Sequence, residues 1–129
     1  MIGIVLLDKY LDFLKDIDSE FTTLFVEDNE EIRTQTILTL KRILPIVISA
    51  ADGEEGIELY KKHKKSDELR DVDLIISDIE MPNKNGLDMI KEIKEINPCI
   101  PIIITSAYSN TEYFLEAINI GIDNYILKT

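Results

Sequence analysis

Short apolar runs alternate with longer stretches of helical period along residues 22–129. The runs at 23–26, 46–50, 73–77, 102–105 and 124–127 are mostly apolar on successive positions, the pattern of strands buried on both faces of a parallel sheet. Between them lie four stretches with apolar residues at helical spacing. The first carries Ile32, Thr36, Leu40 and Ile43, and the second Ile57 and Tyr60. The third carries Leu87, Ile90, Ile93 and Lys94, and the fourth Tyr113, Phe114, Ala117 and Ile118. Five strands joined by four right-handed helical crossovers make an open, doubly wound α/β sheet.

Local signals mark the element ends. Asp28 with Glu31, Asp52 with Glu55, and Ser109 with Glu112 have the spacing of a capping box, which predicts three helix starts. Gly121 is placed to close the fourth helix. Pro45 and Pro98 stop helices ahead of strands, and Pro101 suits a strand start. The polar stretch 64–72 predicts a surface loop or a frayed helix end. Ahead of the first strand, Ile4, Leu7, Leu11, Leu14 and Ile17 repeat at helical spacing. Residues 1–20 therefore read as an amphipathic helical extension on a domain spanning 21–129.

Composition narrows the class. A chain of 129 residues suits one domain with a substantial core, and 45% hydrophobic with 30% charged residues is a globular profile. A formal net charge of −11 argues against direct contact with nucleic acid, whose phosphates require clustered Lys and Arg. The one basic cluster, 61–65 with His63 inside it, reads as the solvated end of a helix. The single cysteine, Cys99, excludes an internal disulfide and reads as a small apolar residue near a strand start. The apolar opening 1–7 has no positive flank and is too short to span a membrane. A cytoplasmic protein is the expectation.

In an open parallel sheet, ligands bind beyond the carboxyl ends of the strands. Strand one ends there in Glu27 and Asp28, strand three in Asp78, strand four in Thr105 and Ser106, and strand five in Lys128. Crowded carboxylates repel and require a cation, and hard oxygen donors suit Mg²⁺. A carboxylate can also act as nucleophile and form an aspartyl-phosphate, with a lysine and a hydroxyl meeting the phosphoryl oxygens. Each residue alone also fits a plainer role. Asp28 could be an N-cap, Glu27 a solvated acid, Thr105 a strand residue, Lys128 a terminal charge and Asp78 a turn residue.

The combination resembles response-regulator receivers of two-component signal transduction. Residues 25–29 (FVEDN), 74–82 (LIISDIEMP), 103–107 (IITSA) and 125–128 (YILK) are similar to the four signature segments of that family. Residues 51–56 (ADGEEG) resemble its turn into the second helix. The resemblance implies a flavodoxin-like sheet of order 2-1-3-4-5 and phosphorylation of Asp78. It implies Mg²⁺ held by the side chains of Asp28 and Asp78, by the Glu80 carbonyl, and by Glu27 through water. Thr105 would contact the phosphoryl group, Lys128 would pair with it, and Tyr125 would be the aromatic that moves with the threonine. Tyr125 is equally readable as an edge-strand tyrosine packed on the fourth helix.

The implied phosphoryl donor is a sensor histidine kinase or a histidine phosphotransfer protein, and a second copy of the chain is a further candidate partner. No conventional enzyme activity is implied beyond self-catalysed phosphorylation and dephosphorylation. Two features depart from the family pattern: Thr129 follows Lys128 where a proline is usual, and this sequence contains no fifth helix. A haloacid-dehalogenase-type phosphatase uses similar groups, but its nucleophile sits on the first strand with a second Asp two residues on. Here the corresponding position is Glu80, on the third strand's exit.

Overall fold

The computed structural model describes residues 17–81, 83–106 and 111–127. Five strands, β1 (Thr22–Val26), β2 (Ile46–Ala50), β3 (Leu74–Asp78), β4 (Ile102–Ser106) and β5 (Asn124–Leu127), form one parallel sheet of order β2-β1-β3-β4-β5. The helices between them are α1 (Glu30–Leu40), α2 (Gly53–Lys65), α3 (Gly86–Ile96) and α4 (Thr111–Ile120). The alternation of strands and helices agrees with the sequence pattern, and the strand order with the family resemblance. Residues 1–16, and with them most of the expected N-terminal helix, lie outside the described residues.

The period of two along each strand divides the core. Leu24, Val26, Ile75, Ile102 and Ile104 face Ile57 and Tyr60 of α2, Leu87, Ile90 and Ile93 of α3, and Ala117 of α4. Phe25, Leu74, Ile76, Ile103 and Ile126 point the other way, into a cluster with Leu40 of α1 and Leu44 just past it. Ile17 and Phe21 pack against that second cluster. Burial of a full aliphatic or aromatic side chain stabilises by about 1.5–3 kcal/mol, so the two layers supply most of the drive to fold.

The helix stripes hold less well than the strands. Thr36 and Leu40 of α1 are buried, whereas Ile32 is 42% exposed. On α4, Ala117 is buried, but Phe114 and Ile118 are about half exposed. Both helices flank the sheet near its edges, where a helix has fewer neighbours to bury a wide stripe. The α2 stripe continues one turn further than expected. His63 is buried rather than solvated, with Nδ1 2.9 Å from the Arg70 carbonyl. Cys99 is exposed in the turn before β4, not packed as an apolar residue.

The cap of α1 is Asn29 rather than Asp28: the Asn29 side chain accepts from Ile32 N–H at 2.9 Å. That leaves the Asp28 carboxylate uncommitted to capping. Asp52 does cap α2, accepting from Glu55 N–H at 2.9 Å, and Gly121 closes α4 at φ +91. Ser109 lies outside the described residues. At the amino edge of the sheet, two carboxylates fasten strand starts. Asp73 accepts from Thr22 N–H at 2.8 Å and Asp123 from Ile102 N–H at 2.7 Å. Among the described residues, no helix is long and apolar enough to cross a membrane.

Candidate functional site

The chain leaves β1 toward β2 on one side and, after α2, passes over β1 to β3 on the other. That reversal opens a crevice at the carboxyl ends of β1 and β3, where ligands bind in sheets of this kind. Glu27 and Asp28 follow β1, and Asp78 is the last residue of β3. Each of the three offers a carboxylate oxygen, and these oxygens lie within 4.8 Å of one another. Glu27 is 1% and Asp78 7% exposed, while Asp28 faces solvent. The plainer reading of Glu27 as a solvated acid is thereby corrected: the turn into α1 folds its side chain inward.

Neighbouring backbone fixes the cluster. Glu27 N–H donates to the Ala50 carbonyl at 3.1 Å, joining the ends of β1 and β2. The Glu27 carboxylate accepts from Asn29 N–H at 3.2 Å, and Asp78 accepts from Ile79 N–H at 2.8 Å. Arg33 of α1 reaches back to donate to the Glu27 carbonyl at 2.8 Å. Ser77 Oγ donates to the Asp78 carbonyl at 2.8 Å. Neither Arg33 nor Ser77 stood out in the sequence, because each acts on main-chain atoms that no motif spells out.

Thr105 is the register partner of Asp78 on β4 and is 1% exposed. Its hydroxyl donates to the Ser77 carbonyl at 3.4 Å, close to the outer limit of a hydrogen bond and so readily exchanged for a better acceptor. Tyr125 lies on β5 opposite Ile104 and packs against Phe114 of α4. Glu80 is exposed, two residues beyond Asp78, and its side chain is not among the three gathered carboxylates. Lys128 lies outside the described residues.

Three acidic side chains this close repel unless a cation or protons intervene. Their donors are hard oxygens from two strand ends, with one carboxylate open to solvent, which suits Mg²⁺ and its retained waters. The family model for the response regulator receiver domain matches residues 23–129.

The chain belongs to the response regulator receiver family. The chemotaxis protein CheY of Thermotoga maritima is 39% identical over 79 residues, 61% of this chain and 60% of that protein. The match thus spans less than two thirds of the Thermotoga protein. The CheY of Halobacterium salinarum is 32% identical over 105 residues, 81% of this chain and 82% of that one. Among solved structures, the CheX–CheY–BeF3–Mg²⁺ complex of Borrelia burgdorferi contains a chain that superposes with a TM-score of 0.73 at 25% identity. That match covers 90% of this chain and 87% of the Borrelia chain. Receiver domains take phosphoryl groups from kinases, bind Mg²⁺ at an acidic pocket and partner with other proteins.

Proposed function

We propose that Asp78 is the phosphoacceptor of this receiver and that phosphorylation switches the surface around Thr105 and Tyr125. The observation that carries the reading is the meeting of Glu27, Asp28 and Asp78 within 4.8 Å at the reversal of the sheet. A carboxylate oxygen of Asp78 attacks the donor's phosphorus. The bond from phosphorus to the donor imidazole nitrogen breaks, and the imidazole keeps the electron pair. Hydrolysis of the resulting acyl phosphate resets the switch.

In this reading Asp28 and Asp78 would hold Mg²⁺ by their side chains and Glu80 by its carbonyl, with Glu27 reaching the ion through water. Once bound, the ion would supply charge neutralisation to the transferring phosphoryl group. Thr105, freed from its long bond to Ser77, donates to a phosphoryl oxygen, and Lys128 pairs with another. The donor is a sensor histidine kinase or a histidine phosphotransfer protein. The net charge of −11 disfavours direct nucleic-acid contact by this chain. A second copy of the chain is a further candidate partner, and the cytoplasm is the expected location.

Incubation with acetyl phosphate and Mg²⁺, followed by mass spectrometry, tests the assignment. The wild-type chain is expected to gain one phosphoryl group and Asp78→Asn none, because an amide is a poor nucleophile. Labelling of Asp78→Asn at the wild-type rate would move the acceptor elsewhere.

A further inference from the structure

The turn after β2 and the loop after β3 come from the two strands that flank β1, and they meet across its end. Asn83 Nδ2 donates to Asp52 Oδ2 at 2.8 Å, joining residues 31 apart in sequence. Beside it, Gly53 N–H donates to the Lys84 carbonyl at 3.1 Å. The other Asp52 oxygen, Oδ1, caps α2, so the two oxygens of one carboxylate serve two different loops.

The contact is built tightly. Asn83 has φ 65, a left-handed conformation that asparagine tolerates better than most residues. A Cβ at position 53 would lie 2.3 Å from the Lys84 carbonyl oxygen, so only glycine permits this approach. Lys84 is in turn paired with Glu92 on α3. At its base the loop is closed by Gly86 N–H donating to the Ile79 carbonyl at 2.8 Å. The loop is therefore fastened at its foot, through Ile79 and Gly86, and at its tip, through Asn83 and Lys84, and Glu80 lies between the two fastenings in sequence.

The geometry points to Asp52 and Asn83 as positioning residues for the cation: a clasp across the end of β1 that holds the Glu80 carbonyl where a divalent ion can use it. This rests on the proposed reading of the acidic cluster and adds residues outside it. Neither Asp52 nor Asn83 belongs to the three-carboxylate group. Opening the clasp leaves those carboxylates in place but frees the loop, so the ion must order the loop when it binds. The loss is expected in affinity for the ion rather than in the chemistry once the ion is bound.

The experiment measures Mg²⁺ binding to the full chain by calorimetry, in parallel with thermal melting and with phosphorylation by acetyl phosphate across a Mg²⁺ series. The variants are Asn83→Gly, which keeps the left-handed backbone but removes the amide, and Asp52→Ser, which keeps a capping oxygen for α2. Each single variant is expected to weaken Mg²⁺ binding about 3- to 10-fold, the range of one hydrogen bond. The double variant should be no weaker than the worse single, since both remove one bond. Phosphorylation at saturating Mg²⁺ should return to the wild-type rate.

Wild-type Mg²⁺ affinity in Asn83→Gly would overturn the clasp, whatever its melting temperature. So would a rate that stays low at saturating Mg²⁺, or single losses that add in the double variant. Failure of the wild-type chain itself to bind Mg²⁺ would instead overturn the reading of the acidic cluster, and the clasp with it.

Discussion

The Tyr125 ring stands edge-on to Phe114, with centroids 5.3 Å apart and planes at 80°. Its hydroxyl is buried and has no hydrogen-bond partner among the described residues. A buried hydroxyl without a partner costs about 1–3 kcal/mol, while the edge-on ring contact returns about 0.5–1.5 kcal/mol. The phenol is therefore held by its ring and penalised at its tip. Tyr125→Phe is expected to raise stability by about 1 kcal/mol, read from chemical denaturation of the unphosphorylated protein. A loss of stability would mean the hydroxyl finds a partner in solution.

The same imbalance would make Tyr125 a sensitive reporter of the proposed switch. A phosphoryl group adds about −1.5 to −2 charge and strong acceptors, and it shifts a population only by favouring one state. NMR spectra with and without beryllofluoride should differ at Thr105, Phe114 and Tyr125 as well as beside Asp78. Shifts confined to residues touching the cation would count against a switch on this face.

Asp28 is the exposed member of the acidic cluster and is not needed to cap α1, where Asn29 serves. Asp28→Ala should leave the fold intact, with a melting temperature close to wild type. It should weaken Mg²⁺ binding about 10-fold or more, since a ligand and a charge are both lost. Equal affinities by calorimetry would remove Asp28 from the site.

The Asp52 carboxylate is held below the usual carboxylate range, first by the Glu55 N–H it caps and then by the Asn83 amide. A group depressed in the folded state contributes stability above its unfolded pKa of about 3.9 and loses it as pH falls through the folded value. The melting-temperature difference between wild type and Asp52→Ser should thus be constant from about pH 7 to 5 and shrink below about pH 4. A difference that persists unchanged into strong acid would show that the charge contributes nothing.

Ile17 and Phe21 pack against the cluster that contains Ile103 and Ile126, the sheet face a fifth helix would cover in the family. Residues 1–16 lie outside the described residues, and we propose that this segment covers that face. Deleting 1–18 should then lower the melting temperature by about 5 °C or more or cause aggregation through the uncovered apolar surface. A monomeric product that melts with the full chain would show a dispensable tail.

Strands and their carboxyl ends were legible because burial on both faces writes a nearly continuous apolar run, as in Leu74 to Ile76. The acidic cluster followed from those ends alone. The helix faces were less legible, because Ile32, Phe114 and Ile118 are apolar yet exposed, and period alone does not say how wide a neighbour is. His63 departs from its company: four of the five residues at 61–65 are lysines, but the fifth turns inward to the Arg70 carbonyl. The Asp52–Asn83 bond was out of reach, since it depends on two loops meeting across a strand.

The carboxylates of Asp73 and Asp123 have a consequence for how this molecule can vary. They lock strand starts by accepting from Thr22 and Ile102, at the opposite end of the sheet from Asp78. A five-residue strand places the two ends about 13 Å apart. The groups that fasten these strand starts and the groups that would bind an ion thus share no side chain. Substitutions that retune the lifetime or strength of a signal at one end can accumulate while alignment is kept at the other. A frame anchored at its far end leaves its working end free to diversify.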